Sequence, residues 1–359
     1  MAAPSRPDPA DVAACRSLLQ AGSRSFFAAS LLLPSSVREP ATVLYAFCRV
    51  ADDAVDLSPD AATAITRLHA RLDGIFAGVP ADDPVDRALA VVVRAHDLPR
   101  SVFDALIEGL AWDVGGRTYE TLSDLISYCA RVAGTVGTLM TLLMGRRDPR
   151  VLARACDLGV AMQLTNIARD VGEDARAGRL YLPLEWMEEA GLSPQSFLAA
   201  PVFDSRLASV IRRLIAEADR LYGRSQSGIG ALPAGCRPAI HAARLIYQEI
   251  GVLLAARGQD SITRRTVVPQ RRKLALVGRA LLDAGFASGP TRQRALAEVQ
   301  FLIDAVRPEG GDAVMADQGL DRLVGIFERL AREPGSSRTG RVVRPRRGRT
   351  RASRLTATA

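Results

Sequence analysis

Apolar residues recur three and four positions apart along most of the chain, which is the spacing of one face of an α-helix. The pattern predicts helices at Val43–Val55, Ala62–Phe76, Ala88–Ala95, Phe103–Val114, Leu122–Met144, Val151–Val171, Leu207–Tyr222, Pro238–Ala256, Leu274–Ala284 and Leu296–Val306. Prolines fall between most of these stretches, and segments that alternate apolar and polar residues are nearly absent. The sequence therefore predicts an all-α protein in which helices pack into a bundle.

No break in composition before residue 332 indicates a second domain, so residues 1–331 are expected to form a single helical domain. Residues 332–359 mix Arg, Ser, Thr, Gly and Pro without apolar periodicity, which predicts a disordered tail. No apolar run approaches the roughly 20 residues of a membrane-spanning helix. The first residues are polar and rich in proline, so no secretion signal is expected there.

The net charge of +8 is concentrated in the tail, which contains nine Arg and one Glu, so the rest of the chain is neutral. A basic tail can contact anionic lipid headgroups or nucleic acid, or it can be a solvated segment without a partner. Lipid is favoured over nucleic acid, because the neutral part of the chain lacks a basic stripe with interleaved aromatic residues. No nucleic-acid partner is expected.

The cysteines are scattered along the chain, at Cys15, Cys48, Cys129, Cys156 and Cys236. Their apolar surroundings and the absence of a CxxC pair predict reduced core residues in a cytoplasmic protein, not a zinc site or a disulfide scaffold. No glycine-rich phosphate loop of the Rossmann or Walker type is present, so a conventional nucleotide-binding domain is not expected.

Two groups of polar side chains interrupt otherwise apolar helices at a spacing of three or four residues: Asp52, Asp53 and Asp56 in the first, and Gln163, Asn166, Asp170 and Asp174 in the second. Burying unpaired carboxylates costs several kcal/mol or more, so a compensating cation is required. Mg²⁺ suits this role, since it prefers carboxylate oxygens and shares its remaining positions with phosphate. The two groups therefore predict a metal cluster that binds a diphosphate, in chemistry where diphosphate leaves an allylic carbon and a carbocation forms in an apolar pocket.

A third acidic string, Asp82-Asp83-Pro84-Val85-Asp86, has the same spacing but a different context. Pro80 and Pro84 bracket it at the start of a predicted helix, where acids cap the first turn and complement the helix dipole. We predict a capping role for this string and no metal.

Several hydroxyl and basic side chains could accompany a diphosphate. Arg49, Arg169, Arg176 and Arg179 flank the two interior groups, whereas Ser23, Arg24 and Ser25 precede them and Arg264, Arg265 and Lys273 lie near the end of the predicted domain. Arginine suits bidentate contact with phosphate. The alternative is that Arg49 and Arg169 only neutralise the acids beside them, and that Arg264 and Arg265 belong to a solvated loop. The sequence pattern leaves both interpretations open.

Five segments in order resemble the squalene/phytoene synthase family of head-to-head prenyl transferases: Ser23–Phe26, Tyr45–Asp56, Tyr128–Gly137, Gln163–Asp174 and Gly178–Pro183. The resemblance covers about Cys15 to Lys273 and continues more weakly to Val306. The second acidic group followed by Gly-Arg-Leu-Tyr-Leu-Pro is its most specific signature. The resemblance implies a single-domain isoprenoid-synthase bundle with a central cavity that holds Mg²⁺, for which Mn²⁺ can substitute.

Residue roles follow from the same resemblance. The implied metal ligands are Asp52, Asp53, Asp56, Asn166, Asp170 and Asp174, and the implied catalytic residues are Asp52, Asp56, Asp170, Asp174 and Tyr128. The implied substrate contacts are Ser23, Arg24, Ser25, Tyr45, Arg49, Gln163, Arg169, Tyr247, Arg264 and Arg265. Tyr128 matches a tyrosine that assists proton transfer near the diphosphate, although an aromatic residue packed in the core is the alternative interpretation.

The implied reaction joins two geranylgeranyl diphosphates through a cyclopropylcarbinyl diphosphate to phytoene, the first committed step of carotenoid biosynthesis, without NADPH. The residues after Cys129 favour this carotenoid branch, while Ala54 replaces a bulkier aliphatic residue found in many relatives. The alternatives are a squalene or dehydrosqualene synthase that uses farnesyl diphosphate, and a non-enzymatic assembly factor on the same fold. Such factors tend to lose the acidic residues, which are retained here.

A long hydrocarbon product has to enter a bilayer. We therefore expect a cytoplasmic enzyme that docks reversibly on the inner face of the membrane through the Arg-rich tail. Other enzymes of the carotenoid pathway are further expected partners.

Overall fold

The computed structural model describes residues 6–22, 30–56, 58, 60–285, 289 and 293–307. Within these ranges the chain forms helices and no strand, which agrees with the all-α prediction. The α-helices are α1 Pro9–Gly22, α2 Ser35–Asp56, α3 Ala61–Ala77, α4 Pro84–Ala95, α5 Arg100–Val114, α6 Leu122–Cys129, α7 Thr135–Leu143, α8 Pro149–Arg176, α9 Leu184–Glu189, α10 Pro194–Ala199, α11 Ser205–Gly230, α12 Arg237–Ala255, α13 Gln270–Asp283 and α14 Gln300–Asp304. A π-helical turn, Ala130–Gly134, joins α6 to α7, and 3₁₀ turns lie at Ala234–Cys236 and Ala297–Val299.

Each stretch with a clear helical period lies in a helix or, for Leu296–Val306, in a 3₁₀ turn followed by α14. Apolar spacing did not predict α1, α9 or α10. The last two contain six residues each, fewer than two turns, so no period can be recognised in them. The π-helical turn was also not predicted, because it inserts its extra residue without changing the apolar character of the segment.

Helix starts follow local capping chemistry. The Asp148 side chain accepts a hydrogen bond from the Arg150 backbone amide (2.8 Å) at the start of α8, where Pro149 takes the first helical position. At the start of α4, Asp83 accepts from the amide of Val85 (2.9 Å), and the buried Asp86 carboxylate pairs with Arg71 (2.6 Å). The capping interpretation of the third acidic string is thus confirmed.

The core of the bundle is built around α8, whose side chains are almost all buried between Val151 and Gly172. This helix packs most extensively along α11 and also contacts α6, α7, α12 and the π-helical turn. The segment Leu122–Leu143 is long and apolar enough to span a membrane by composition, but 83% of its most apolar window is buried inside the protein. It is a core segment of the bundle.

Two glycines set the register between α8 and the segment that contains α6 and α7. A Cβ atom at Gly137 would lie 2.5 Å from the Ala155 carbonyl oxygen, and one at Gly159 would lie 2.5 Å from that of Ala133. These close approaches show that the two segments run antiparallel. Ala133 lies opposite Gly159, and Tyr128 lies between one and two turns before Ala133. Because the segments are antiparallel, Tyr128 is near the level of the residues about one to two turns after Gly159 on α8, which include Gln163 and Asn166.

All five cysteines are buried and free. Burial raises the pKa of the Cys15 and Cys156 thiols to about 12, so both are protonated at neutral pH. The prediction of reduced core cysteines is confirmed.

Candidate active site

The second polar group forms a stripe on α8. Gln163, Asn166 and Asp170 are 3%, 0% and 6% exposed, and Asp174, one turn further along, is half-buried. The Asn166 side-chain amide donates a hydrogen bond to Oε1 of Gln163 (3.3 Å). Within the described part of the chain, Oδ1 of Asn166 and Nε2 of Gln163 have no hydrogen-bond partner. Buried polar atoms without partners cost about 1–3 kcal/mol each, so a water molecule or a ligand is expected to satisfy these two.

Asp170 is held by two arginines. Nε and Nη2 of Arg169 donate to its two carboxylate oxygens (2.8 and 2.6 Å), and Nε and Nη2 of Arg265 do the same (2.8 and 3.1 Å). Burial by itself would raise the pKa of Asp170, but the charges and hydrogen bonds of the two guanidinium groups outweigh it and lower that pKa to about 2. Asp170 is therefore ionised at neutral pH despite its burial.

Arg265 reaches Asp170 because a loop after α12 lies directly against α8. The Gly172 amide donates to the Ser261 carbonyl oxygen (3.2 Å), and a Cβ atom at Gly172 would lie 2.7 Å from that oxygen. Asp260 shapes the loop by accepting hydrogen bonds from the backbone amides of Ile262 and Thr263 (both 3.0 Å). Only glycine at position 172 permits this approach.

The first acidic group lies at the C-terminal end of α2. Asp52 and Asp53 are half-buried, and Asp56 is the last residue of the helix, with a side chain outside the described part. Arg49 forms a two-pronged ion pair with Asp53 on the same helix, at 2.5 and 2.7 Å. In this structure Arg49 therefore neutralises a neighbouring acid, and its role as a diphosphate contact stays a prediction. Tyr45, two turns before Asp52, is completely buried.

The two acidic helices do not lie side by side along their length in the described structure. α2 packs on α1, α3, α4 and α5, whereas α8 packs mainly on α11, α12 and the π-helical turn, and α7 contacts both. Among the described residues, no three His, Cys, Asp or Glu side chains converge on one metal-sized position. The predicted metal set therefore stays a prediction. The donor chemistry of the α8 stripe nevertheless fits a hard cation, since the buried Asn166 Oδ1 lacks a partner.

Of the remaining predicted substrate contacts, Arg265 lies at the α8 stripe and Arg264 does not. Ser23, Arg24 and Ser25 lie outside the described residues. Arg264 has an exposed side chain and lines a surface cavity together with Arg257 and Arg265. Its role as a diphosphate contact is therefore open, whereas Arg265 lies against the acidic stripe.

Tyr128 belongs to a cluster of three buried tyrosines. Its hydroxyl donates to Oδ2 of Asp113 (2.7 Å), and the hydroxyl of Tyr181 donates to Oδ1 of the same carboxylate (2.7 Å). The ring centroids of Tyr128 and Tyr181 are 5.3 Å apart, as are those of Tyr128 and Tyr119. Sequence reasoning missed Asp113 and Tyr119. An acid in the last turn of α5 opposes the helix dipole, and that signal could have singled out Asp113.

The model of the squalene/phytoene synthase family matches residues 19–273 of this chain. The chain belongs to the squalene/phytoene synthase family. It is 51% identical over 320 residues to the phytoene synthase of Cereibacter sphaeroides, covering 84% of this chain and 90% of that protein. It is 49% identical over 330 residues to the phytoene synthase of Rhodobacter capsulatus, covering 87% and 97%.

The fold is similar to the crystal structure of a dehydrosqualene synthase in complex with a ligand, with a TM-score of 0.70 and 33% identity, covering 76% of this chain and 95% of that one. These matches confirm the predicted membership of the squalene/phytoene synthase family and the predicted isoprenoid-synthase fold. They also confirm the prediction of an enzyme of the isoprenoid-synthase type, from a family that processes prenyl diphosphates.

Proposed function

We propose that the protein condenses two molecules of geranylgeranyl diphosphate, head to head, into phytoene with release of diphosphate. The observation that carries the proposal is the buried Asn166–Asp170 stripe with its paired arginines, in a chain about half identical to two phytoene synthases along most of its length. Phytoene formation needs no reductant, because the final cation loses a proton. The pathway is carotenoid biosynthesis.

The ligands proposed for Mg²⁺ are Asp52, Asp53 and Asp56 on α2 with Asn166, Asp170 and Asp174 on α8. When bound, Mg²⁺ supplies charge neutralisation for a leaving diphosphate. The unpartnered Oδ1 of Asn166 and the ionised state of Asp170 support this assignment. The arginines support it too, since they keep the carboxylates charged before a cation arrives.

Arg265, Arg169 and Arg49 are the proposed diphosphate contacts. Each now holds a carboxylate in a two-pronged ion pair, which is the geometry that a guanidinium group also uses with phosphate oxygens. Arg265 sits on a loop and lines the surface cavity beside the stripe, so it can turn from carboxylate to phosphate without a change in α8. Tyr45 and Gln163 are proposed to line the cavity that keeps water away from the cation.

In the proposed first half-reaction, the C1–O bond of one substrate breaks and its electron pair leaves with diphosphate. The C2=C3 double bond of the second substrate attacks the resulting cation, and loss of a proton closes a cyclopropylcarbinyl diphosphate. In the second half, this intermediate loses diphosphate, rearranges to a 1-1′ linkage and loses a second proton to give phytoene.

The alternative substrate is farnesyl diphosphate, and the similarity to a dehydrosqualene synthase structure is the observation that favours it. The higher identity to phytoene synthases favours the C20 substrate. Purified protein should be incubated with Mg²⁺ and geranylgeranyl diphosphate without NADPH, and in parallel with farnesyl diphosphate with and without NADPH. We expect a C40 hydrocarbon by mass analysis. A C30 product alone would contradict the substrate assignment, and no product from either would favour a non-enzymatic assembly factor.

We also propose that the enzyme docks on the inner face of the membrane. The Arg-rich tail, to which sequence reasoning gave this role, lies outside the described residues. Helix α13 offers a second docking element, since Leu274, Leu281 and Leu282 share one face and are 70%, 53% and 74% exposed. Exposed Arg271 lies on the same helix, whereas Leu276 and Ala280 are buried. Leucines flanked by arginine are typical of helices that lie in an anionic lipid interface.

Co-sedimentation of the full chain with phosphatidylglycerol vesicles tests this docking. Changing Leu274, Leu281 and Leu282 to Ser should weaken binding by at least about 100-fold, given the apolar area withdrawn from lipid. The matched control changes Val79 and Val202, which are also exposed, to Ser and should bind normally. Unchanged binding of the leucine variant would exclude α13, and unchanged binding after deletion of Arg338–Ala359 would exclude the tail.

A further inference from the structure

Asp113 is the acceptor for two buried hydroxyl groups. The Tyr128 and Tyr181 hydroxyls each donate to a different oxygen of its carboxylate, at 2.7 Å. Tyr128 comes from α6 and Tyr181 from the segment after α8, while Asp113 lies in the last turn of α5, so one carboxylate joins three parts of the bundle. By the register of Gly137 against Ala155 and of Gly159 against Ala133, the Tyr128 end of this junction is expected near the level of Gln163 and Asn166, where the α8 stripe begins.

Neighbouring contacts hold α5 rigidly against the π-helical turn that follows Tyr128. The Arg131 guanidinium stacks on the Trp112 ring (4.2 Å to its centroid) and pairs with Glu108 (2.9 Å). A Cβ atom at Gly109 would lie 2.8 Å from the Cβ of Arg131, so the two segments approach as closely as glycine allows. The Asp113 carboxylate is therefore fixed relative to Tyr128 by packing as well as by its hydrogen bond.

A tyrosine hydroxyl has one proton to donate and two lone pairs to accept with. Because the Tyr128 proton points at Asp113, the lone pairs of its oxygen point elsewhere. A tyrosine held in this way presents an acceptor to any group beside it, and an acceptor oxygen stabilises positive charge in an apolar pocket. π-helical turns are frequent at functional sites, and here one directly follows Tyr128.

We propose that Asp113 is a positioning residue for Tyr128: it accepts the hydrogen bond of the Tyr128 hydroxyl, so that the lone pairs of the Tyr128 oxygen face the reacting carbocation. This inference rests on the proposed head-to-head condensation. Asp113 does not touch substrate in this scheme and acts only through Tyr128. Tyr181 donates to the other oxygen of the carboxylate and stacks against the Tyr128 ring, so it limits the rotation of that ring.

A purely structural role for Asp113 makes a different prediction. In that case the carboxylate only satisfies two buried hydroxyls, and losing either hydrogen bond should have similar consequences. If Asp113 acts through Tyr128, only the bond to Tyr128 affects turnover. Tyr181→Phe is therefore the matched control, because it removes the other hydrogen bond to the same carboxylate.

The test is a double-mutant cycle on phytoene formation. Asp113→Asn keeps the shape of the side chain but brings an amide donor, which turns one tyrosine from donor to acceptor. We expect kcat to fall about 100-fold with KM within about threefold, the size of effect seen when proton placement at a reacting group is lost. In a Tyr128→Phe background, Asp113→Asn should lower kcat by less than about a further threefold, since the Tyr128 hydroxyl through which Asp113 acts is already absent. Tyr181→Phe alone should lower kcat by less than about fivefold.

A second readout needs no substrate. Burial, and to a smaller extent the Asp113 charge, raises the pKa of Tyr119 in this cluster, so Asp113→Asn should lower that pKa and move the onset of tyrosinate absorbance to lower pH. Independent losses from Asp113→Asn and Tyr128→Phe, or an equal loss from Tyr181→Phe, would overturn the positioning role. An inert wild-type protein would contradict the proposed function itself, whereas an active wild type with additive variants contradicts only the role of Asp113.

Discussion

The two acidic regions carry similar residues at similar spacing, yet their surroundings differ. On α2, Asp53 is 35% exposed and its partner Arg49 comes from the same helix, four residues away. On α8, Asp170 is 8% exposed at its side chain, and one of its two arginines comes from 95 residues further along the chain. The α2 region is held by local helix geometry, whereas the α8 region is held by tertiary packing.

The difference indicates how the two regions divide the work. A half-exposed ion pair within one helix contributes little stability and can open easily. A buried pair with two arginines is preorganised, and removing one of its members leaves uncompensated charge in the core. We infer that α8 sets the geometry of the site and that α2 adapts to the ligand.

The largest expected effects come from the acids themselves. Asp52→Asn and Asp170→Asn should each lower turnover by several orders of magnitude while circular dichroism shows unchanged helical content. Only Asp170→Asn should also lower the free energy of unfolding strongly, by about 3–5 kcal/mol, because Arg169 and Arg265 lose their counter-charge. Near-normal turnover of either variant would remove that residue from the proposed metal set.

Asp86→Asn is the matched control for Asp170→Asn. Asp86 is also buried and paired with an arginine, Arg71, but it belongs to the capping string of α4. It should lower stability and leave turnover within about threefold, since a buried pair outside the site costs folding energy only. A loss of turnover here as large as that of Asp170→Asn would show that the assay reports stability.

Gly172→Ala is expected to disturb the α8 region and to leave the α2 region unchanged. The new Cβ would meet the backbone of Ser261 and Ile262 at 2.7–2.9 Å, so the loop must move and withdraw Arg265 from Asp170. We expect the free energy of unfolding to fall by about 3 kcal/mol, at the upper end for overpacking, because the obstacle is backbone. Chemical denaturation measures it. Gly223→Ala, on α11 with open space around it, should instead stabilise by about 0.5–1 kcal/mol.

The acid dependence of stability should also distinguish the regions. Folding lowers the pKa of Asp170 from 3.8 to about 2, so its contribution is fully present above about pH 4 and is lost as pH falls toward 2. The shift corresponds to about 2 kcal/mol. The free energies of unfolding of wild type and Asp170→Asn, measured between about pH 6 and pH 2.5, should approach each other by about that amount as the pH falls. Parallel curves would contradict the lowered pKa.

The smallest effect is expected at Arg49. Arg49→Gln should cost less than about 0.5 kcal/mol in stability, because its pair with Asp53 is partly solvated and local. If Arg49 turns to diphosphate in the complex, KM should nevertheless rise. A stability loss comparable to that of Asp170→Asn would show that α2 is as preorganised as α8.

The long helices were predicted well from the sequence because their amphipathic period depends only on the spacing of residues close together in the chain. Sequence reasoning also separated the capping string of Asp83 from the interior acids, since proline placement is local information. It could not place Arg265 against Asp170, because that contact depends on a close approach at Gly172. It did not identify Tyr128 and Tyr181 as the partners of Asp113, because those hydroxyls come from other segments of the chain.

The sequence by itself determined the helical architecture, the family and the set of acidic and basic residues available for chemistry. Each depends on residue type and short-range spacing, which an unfolded chain already contains. Only the tertiary structure decided which arginine neutralises which carboxylate, that the buried Oδ1 of Asn166 has no hydrogen-bond partner among the described residues, and which acid accepts the hydrogen bond of Tyr128. Those properties depend on burial and on distances between segments, and both exist only once the helices have packed.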